Sequence, residues 1–101
     1  MDAFDDFVRR HRDWSQRVFG TGRQTGGLTE HIEKEIAEIR AKPDDLVEWL
    51  DVMILAMDGY LRHGGTPETL LPDLERKLGE NIARRWPDAG GGDKAVEHER
   101  D

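Results

Sequence analysis

The 101 residues contain no cysteine, which removes a disulfide framework, a thiolate zinc site and a thiol nucleophile from consideration. No apolar run approaches the roughly 20 residues needed to span a bilayer, and the start, Met1-Asp2-Ala3-Phe4-Asp5-Asp6, lacks the basic and apolar blocks of a secretory signal. A soluble cytoplasmic protein without a membrane partner is expected. Positive charge is also short. Fifteen Lys and Arg against 22 Asp and Glu leave a net charge of −7, which opposes binding to a nucleic-acid backbone. Aromatic residues make up 7% of the chain. A domain of this size buries only about 60–65% of the surface its unfolded chain exposes, so association of copies, as a dimer or tetramer, is expected to supply further burial.

What is present is helical periodicity. Apolar residues recur at three- and four-residue steps in four segments, and no stretch alternates with period two. The expected fold is therefore all-α, a four-helix-type bundle over residues 1–87 completed by oligomerisation. Residues 88–101, with three consecutive glycines and mixed charges, read as a disordered tail. The first helix runs from near Asp2 to about Phe19, with Phe4, Phe7, Val8, His11, Trp14, Ser15 and Val18 along one stripe. Gly20 to Gly27 reads as a flexible connection that lets backbone approach a ligand closely. It is not a P-loop, since GxxxxGK[ST] is absent. The second helix starts near Leu28 and ends before Pro43, with Leu28, Ile32, Ile36 and Ile39 as its buried stripe. The third, from about Asp45 to Arg62, is apolar around most of its circumference and so belongs in the centre, its polar arc confined to Glu48, Asp51, Asp58 and Arg62. Thr66-Pro67 opens the fourth, which Pro72 is expected to kink or restart and which packs through Leu71, Leu74, Leu78 and Ile82.

Two acidic pairs stand out: Glu35-x-x-Glu38 and Glu48-x-x-Asp51. Residues three apart share a helix face, so each pair presents two carboxylates side by side. For any single acid a solvent-facing helix edge is explanation enough. For the set it is not, because antiparallel packing across the Lys42–Asp45 break sets the pairs face to face, and four converging carboxylates repel unless cations bind them. Hard divalent metals answer that need. Glu35 projects at the edge of the apolar stripe, with His31 and Glu38 beside it, whereas Glu30 and Glu33 face elsewhere as solvated surface. A di-iron carboxylate bundle would need Glu-x-x-His pairs, and the chain has none. Further on, Lys77, Asn81 and Arg84 share one side of the fourth helix; taken alone they read as a basic helix end that complements the dipole and surface carboxylates, and beside the acidic motif as a set that can hold phosphate oxygens or a sugar hydroxyl.

In this order, Glu35-Ile-Ala-Glu38, Glu48-Trp-Leu-Asp51, Lys77 and Asn81-Ile-Ala-Arg84-Arg85-Trp86 resemble the MazG-like all-α nucleoside triphosphate pyrophosphohydrolase superfamily, and within it the small dATP/dGTP branch of bacteria and phages. The resemblance covers about residues 4–87. It implies hydrolysis of a nucleoside triphosphate, a purine deoxynucleotide in this branch, to the monophosphate and pyrophosphate, in the host cytoplasm if a phage encodes the chain. By residue-wise transfer Glu35, Glu38, Glu48 and Asp51 would bind magnesium, with manganese as the alternative, and Glu38 or Glu35 would take the proton of the attacking water. Lys77 and Arg84 would contact phosphates, Asn81 sugar or phosphate, and Phe19 with the glycine-rich loop would enclose the base, His31 and Trp14 being weaker candidates. Asp58 is left between extra ligand and partner of Arg62. The competing reading is a non-enzymatic helical interaction or nucleotide-binding module.

Overall fold

The structure, a computed structural model, describes residues 2–87 and 93–99. Four α-helices follow one another: α1 (Ala3–Phe19), α2 (Thr25–Ala41), α3 (Leu46–Arg62) and α4 (Pro67–Ala83). Apart from one isolated bridge, Arg85 with Glu99, no strand pairing occurs among the described residues, so the fold is all-α as the periodicity predicts.

Local chemistry sets each boundary. The Asp2 carboxylate accepts from the Asp5 N–H at 2.8 Å, capping α1, and Asp5 and Asp6 in the first turn complement the helix dipole. Gly20, at φ 84°, ends it. The second helix begins at Thr25, three residues before the expected Leu28, because Gly26 and Gly27 are carried inside its first turn. Two bonds hold that turn: the Leu28 N–H donates to the Gln24 carbonyl at 2.9 Å, and the Thr29 hydroxyl donates to the Thr25 carbonyl at 2.8 Å. The expected flexible connection is thereby shortened to residues 20–24. Asp45 caps α3 through the Val47 N–H at 3.2 Å, and the Trp49 indole N–H ties the α2–α3 connection down by donating to the Pro43 carbonyl at 2.9 Å. At the start of α4 the Thr66 hydroxyl accepts from the Thr69 N–H at 3.1 Å, while the Thr69 hydroxyl accepts from the Thr66 N–H at 3.0 Å. Pro72 lies inside a helix that runs on to Ala83.

The chain divides into two compact units, Met1–Thr69 and Leu70–Asp101. In the first, α2 and α3 are antiparallel neighbours. The Thr25 hydroxyl at the head of α2 meets His63 Nε2 at the foot of α3 at 2.5 Å, and at the opposite end Glu38 meets Glu48. Helix α1 packs on α3 as well. Val8 is fully buried, but the apolar surface of α3 is not: Leu46 is 73% exposed and Met53 67%, with Val47, Trp49, Leu50 and Ile54 also open. Within the first unit α1 and α2 lie against the expected central helix, and much of its apolar surface stays open. In the second unit Leu70 is buried, whereas Leu74, Leu78 and Ile82 are exposed, so the expected packed face of α4 is open too. There the Trp86 and His98 rings stack edge-on at 5.7 Å and Arg85 pairs with Glu99 at 3.2 Å. Of the expected tail, residues 88–92 and 100–101 lie outside the described residues. No described helix is long and apolar enough to cross a membrane.

The turn into α4 depends on a missing side chain. A Cβ on Gly65 would overlap the Tyr60 ring, whose hydroxyl is hydrogen-bonded to the Thr69 hydroxyl at 2.7 Å. Gly65→Ala must displace that ring, and overpacking of this kind costs about 1–3 kcal/mol. The expected outcome is a lowered thermal midpoint, which Tyr60→Phe, losing only the hydroxyl bond, should reproduce in part; an unchanged midpoint in Gly65→Ala would show that the turn relaxes freely.

Candidate metal centre and adjoining cavity

Three carboxylates converge where α2 ends and α3 begins. One oxygen from each of Glu35, Glu38 and Glu48 lies within 4.8 Å of the others. The local fold compels this. Glu35 and Glu38 are one helical turn apart on α2, Glu48 stands in the first turn of α3, and the short connection between the helices is pinned by Trp49. Glu35 is buried at 7% exposure, Glu48 is half-buried and Glu38 faces solvent.

Such a cluster is electrostatically costly as it stands. Hydrogen bonding to Glu38 and then Glu35, with burial and the charges of both neighbours adding to it, pushes the Glu48 carboxyl up to about 7. The same hydrogen bond from Glu48, followed by that to Glu35, holds Glu38 below the usual carboxylate range. Glu48 therefore keeps a proton that Glu38 has given up. Meanwhile Glu35 Oε2 and Glu48 Oε2 are sealed from water with no hydrogen-bond partner, a state that normally costs free energy. Hard anionic oxygens with unfilled lone pairs on two helices fit a divalent cation of the magnesium or manganese kind, and a cation would replace the proton that the cluster otherwise retains.

Beside the trio lies a cavity of about 430 Å³ whose lining includes Glu35, Asp51, His31, Trp14, Phe19 and Gln24. Asp51 is not one of the three clustered carboxylates; it borders the cavity together with Glu35. His31 stands 3.5 Å from Glu35 Oε1. Trp14 and Phe19 meet edge-to-face at 5.5 Å, making an aromatic wall at the end of α1 with Phe19 58% exposed. Asp58 also lines the cavity, and its Oδ2 accepts from Arg62 Nε at 2.9 Å, the pairing that was one of the two roles left open for it. Lys77, Asn81 and Arg84 belong to the second unit. Within it Lys77 reaches Glu80 at 3.9 Å, Arg84 Nη1 donates to Asn81 Oδ1 at 3.4 Å, and the Asn81 carbonyl accepts from the Trp86 indole at 2.6 Å.

Gln24 lies in the glycine-rich loop that the resemblance sets beside the base, whereas two further cavity residues, His11 and Ser15, are not picked out by the sequence as site residues: both read there only as members of the α1 stripe, and nothing in their spacing marks them out.

A sign follows from the Glu48 shift. A carboxyl whose folded pKa, about 7, exceeds its ordinary value of 4.5 binds its proton more tightly in the folded state, so the stability it contributes is fully present below about pH 4.5 and is lost as pH rises through about 7. In chelator, Glu48→Gln is expected to gain stability relative to the parent chain between pH 5 and pH 8, read from denaturant melts. A difference between the two proteins that does not change with pH would show that the carboxylates are not in contact.

The model of one family, described as dATP/dGTP pyrophosphohydrolase, matches residues 7–101. The chain is also 35% identical over 86 residues to the "Eaa protein" of Salmonella phage P22, a match that covers 84% of this chain and 26% of that protein. The chain thus spans about a quarter of the length of that curated relative. No solved structure matches it.

Proposed function

Because the chain belongs to the dATP/dGTP pyrophosphohydrolase family, we propose that it hydrolyses a purine deoxynucleoside triphosphate, dATP or dGTP, between the α- and β-phosphates, in a magnesium-dependent reaction. The observation that carries this reading is the convergence of Glu35, Glu38 and Glu48 beside a cavity with an aromatic wall. A triphosphate is strongly anionic, and an acidic site can take it only with cations between them.

Glu35, Glu38, Glu48 and Asp51 would hold magnesium, or manganese in its place, and a cation held there would supply charge to offset the triphosphate and a lowered pKa for an attacking water. Glu38 or Glu35 accepts the proton of that water as its oxygen forms the new bond to the α-phosphorus. The bond from that phosphorus to the bridging oxygen breaks, and pyrophosphate leaves with the electron pair. His31, 3.5 Å from Glu35, borders the substrate and orients that carboxylate. Phe19 and Trp14 present ring faces and edges to the base. Lys77 and Arg84 supply cations to phosphate oxygens, and Asn81 bonds phosphate or sugar.

Copies of the chain associate. Leu46, Val47, Trp49, Leu50 and Met53 of α3 are exposed within eight residues, the kind of apolar surface that marks an interaction site, and a homo-oligomer buries them. Met53→Glu is expected to reduce the sedimentation mass to that of a monomer and to lower stability. A parent chain that sediments as a monomer at micromolar concentration would reject this.

The central test is release of pyrophosphate from a panel of triphosphates with and without magnesium. Glu38→Gln is expected to lose at least about a hundredfold in kcat, the scale on which general acid–base groups contribute, with an unchanged circular dichroism spectrum. A non-enzymatic nucleotide-binding module is the competing reading. It would prevail if triphosphates bound and no pyrophosphate appeared from any of them.

A further inference from the structure

Arg62 is the most heavily bonded side chain in the first unit, and the reaction proposed above gives it no task. Its side chain is 3% exposed. Nε donates to Asp58 Oδ2 at 2.9 Å. Nη1 donates to the carbonyls of Gly20 at 2.8 Å and Gly22 at 3.0 Å, and Nη2 to the Ser15 hydroxyl at 2.9 Å and the Ser15 carbonyl at 3.4 Å. One guanidinium thus joins the C-terminal turn of α3, the last turns of α1 and the loop that follows α1.

That loop forms the rim of the cavity. Phe19 and Gln24, at its two ends, both line it, and Gln24 Nε2 donates to the Phe19 carbonyl at 2.7 Å. The acids Glu48 and Asp51 sit on the helix that carries Arg62. The aromatic rim and the acidic floor therefore come from different parts of the sequence, and Arg62 ties the rim to the helix that carries part of the floor. Asp58 has a matching task. A buried guanidinium needs a counter-charge, and the Asp58 carboxylate, 10% exposed, supplies it. His11 Nε2 lies 3.4 Å from the other Asp58 oxygen without hydrogen-bonding it.

We propose that Arg62, held by Asp58, is a positioning residue for nucleotide binding: by fixing the carbonyls of Ser15, Gly20 and Gly22 it sets Phe19 and Gln24 at the distance from the acidic floor that a bound nucleotide requires. The inference rests on the nucleotide reading of the cavity. The fork is essential to it, because a lysine ammonium retains the charge but cannot span acceptors on two segments at once.

The test uses the full chain and α,β-methylene-dATP, a probe that cannot be cleaved at the α–β position, with magnesium titrated separately. Arg62→Lys is expected to weaken binding of the analogue by on the order of tenfold or more, as a small misplacement of a binding wall does, while the magnesium titration midpoint stays within about twofold, since no carboxylate of the trio is touched. Gly22→Ala provides a second route to the same result. Nothing lies within 4 Å of a Cβ there, and its φ of +110° disfavours any side chain, so the substitution shifts the clamped carbonyl while the helices still fold. Parent-like affinity for the analogue in both variants would overturn the proposal. Parallel loss of magnesium and analogue binding would do the same, because it would mark general loosening of the unit. If the parent chain itself binds no analogue, the nucleotide reading falls first and this inference with it, a failure visible before any variant is made.

Discussion

Repulsion among three carboxylates is the constraint on which this site depends. Glu35, Glu38 and Glu48 are brought within 4.8 Å of one another by an antiparallel helix pair whose connection is too short to let them separate. Isolated acids would relax by turning to solvent. Here Glu35 is buried and one oxygen each of Glu35 and Glu48 is sealed without a partner, so the strain is stored by the packing of α2 on α3. A helix N-terminus ordinarily favours a carboxylate in its first turn. Glu48 occupies that position, and hydrogen bonding to Glu38 and Glu35, burial and the charges of both raise its pKa there. Storing that much unfavourable charge makes physical sense where a cation arrives to relieve it.

The same economy appears in the packing. A chain this short has few apolar side chains to spend, and among the described residues of the first unit Val8 and Pro67 are the fully enclosed ones. Polar staples do much of the remaining work of shaping the unit: the Trp49 indole on the Pro43 carbonyl, the Thr25–His63 pair and the Arg62 fork. Each joins segments that a larger core would hold by burial. Their directionality fixes where the helix ends stand, and the site is built at helix ends.

Much of this was legible in the sequence because helical period is a local property. The four helices, the placement of Glu35 at the edge of the apolar stripe and the meeting of Glu38 with Glu48 all follow from residue spacing and one short connection. The start of α2 did not follow. Gly26 and Gly27 look like breakers, but Gln24 at φ 51° begins the helix ahead of them. The exposure of Leu50 and Met53 was equally hidden, since an apolar stripe states that a face will be covered and not by what. Spacing pairs Asp51 with Glu48 but does not say that it borders the cavity beside Glu35 and not the close contact of Glu35, Glu38 and Glu48. Arg62 was the least visible. Its pairing with Asp58, four residues earlier, can be read from the spacing, but its bonds to carbonyls 40 and 42 residues away depend on tertiary placement alone.

The charges on α3 are therefore arranged by opposite logics. Near its start, Glu48 crowds against Glu35 and Glu38 with no Lys or Arg salt bridge to the trio among the described residues; near its end, one carboxylate and one guanidinium neutralise each other and are buried together. A self-neutralised pair has no further charge to offer a ligand and acts through geometry. An uncompensated cluster has the reverse character, poor as a strut and strong as a cation trap. Glu48 and the Asp58–Arg62 pair share one helix of 17 residues, so a displacement of the rim is referred to the helix that supplies one of the three clustered acids.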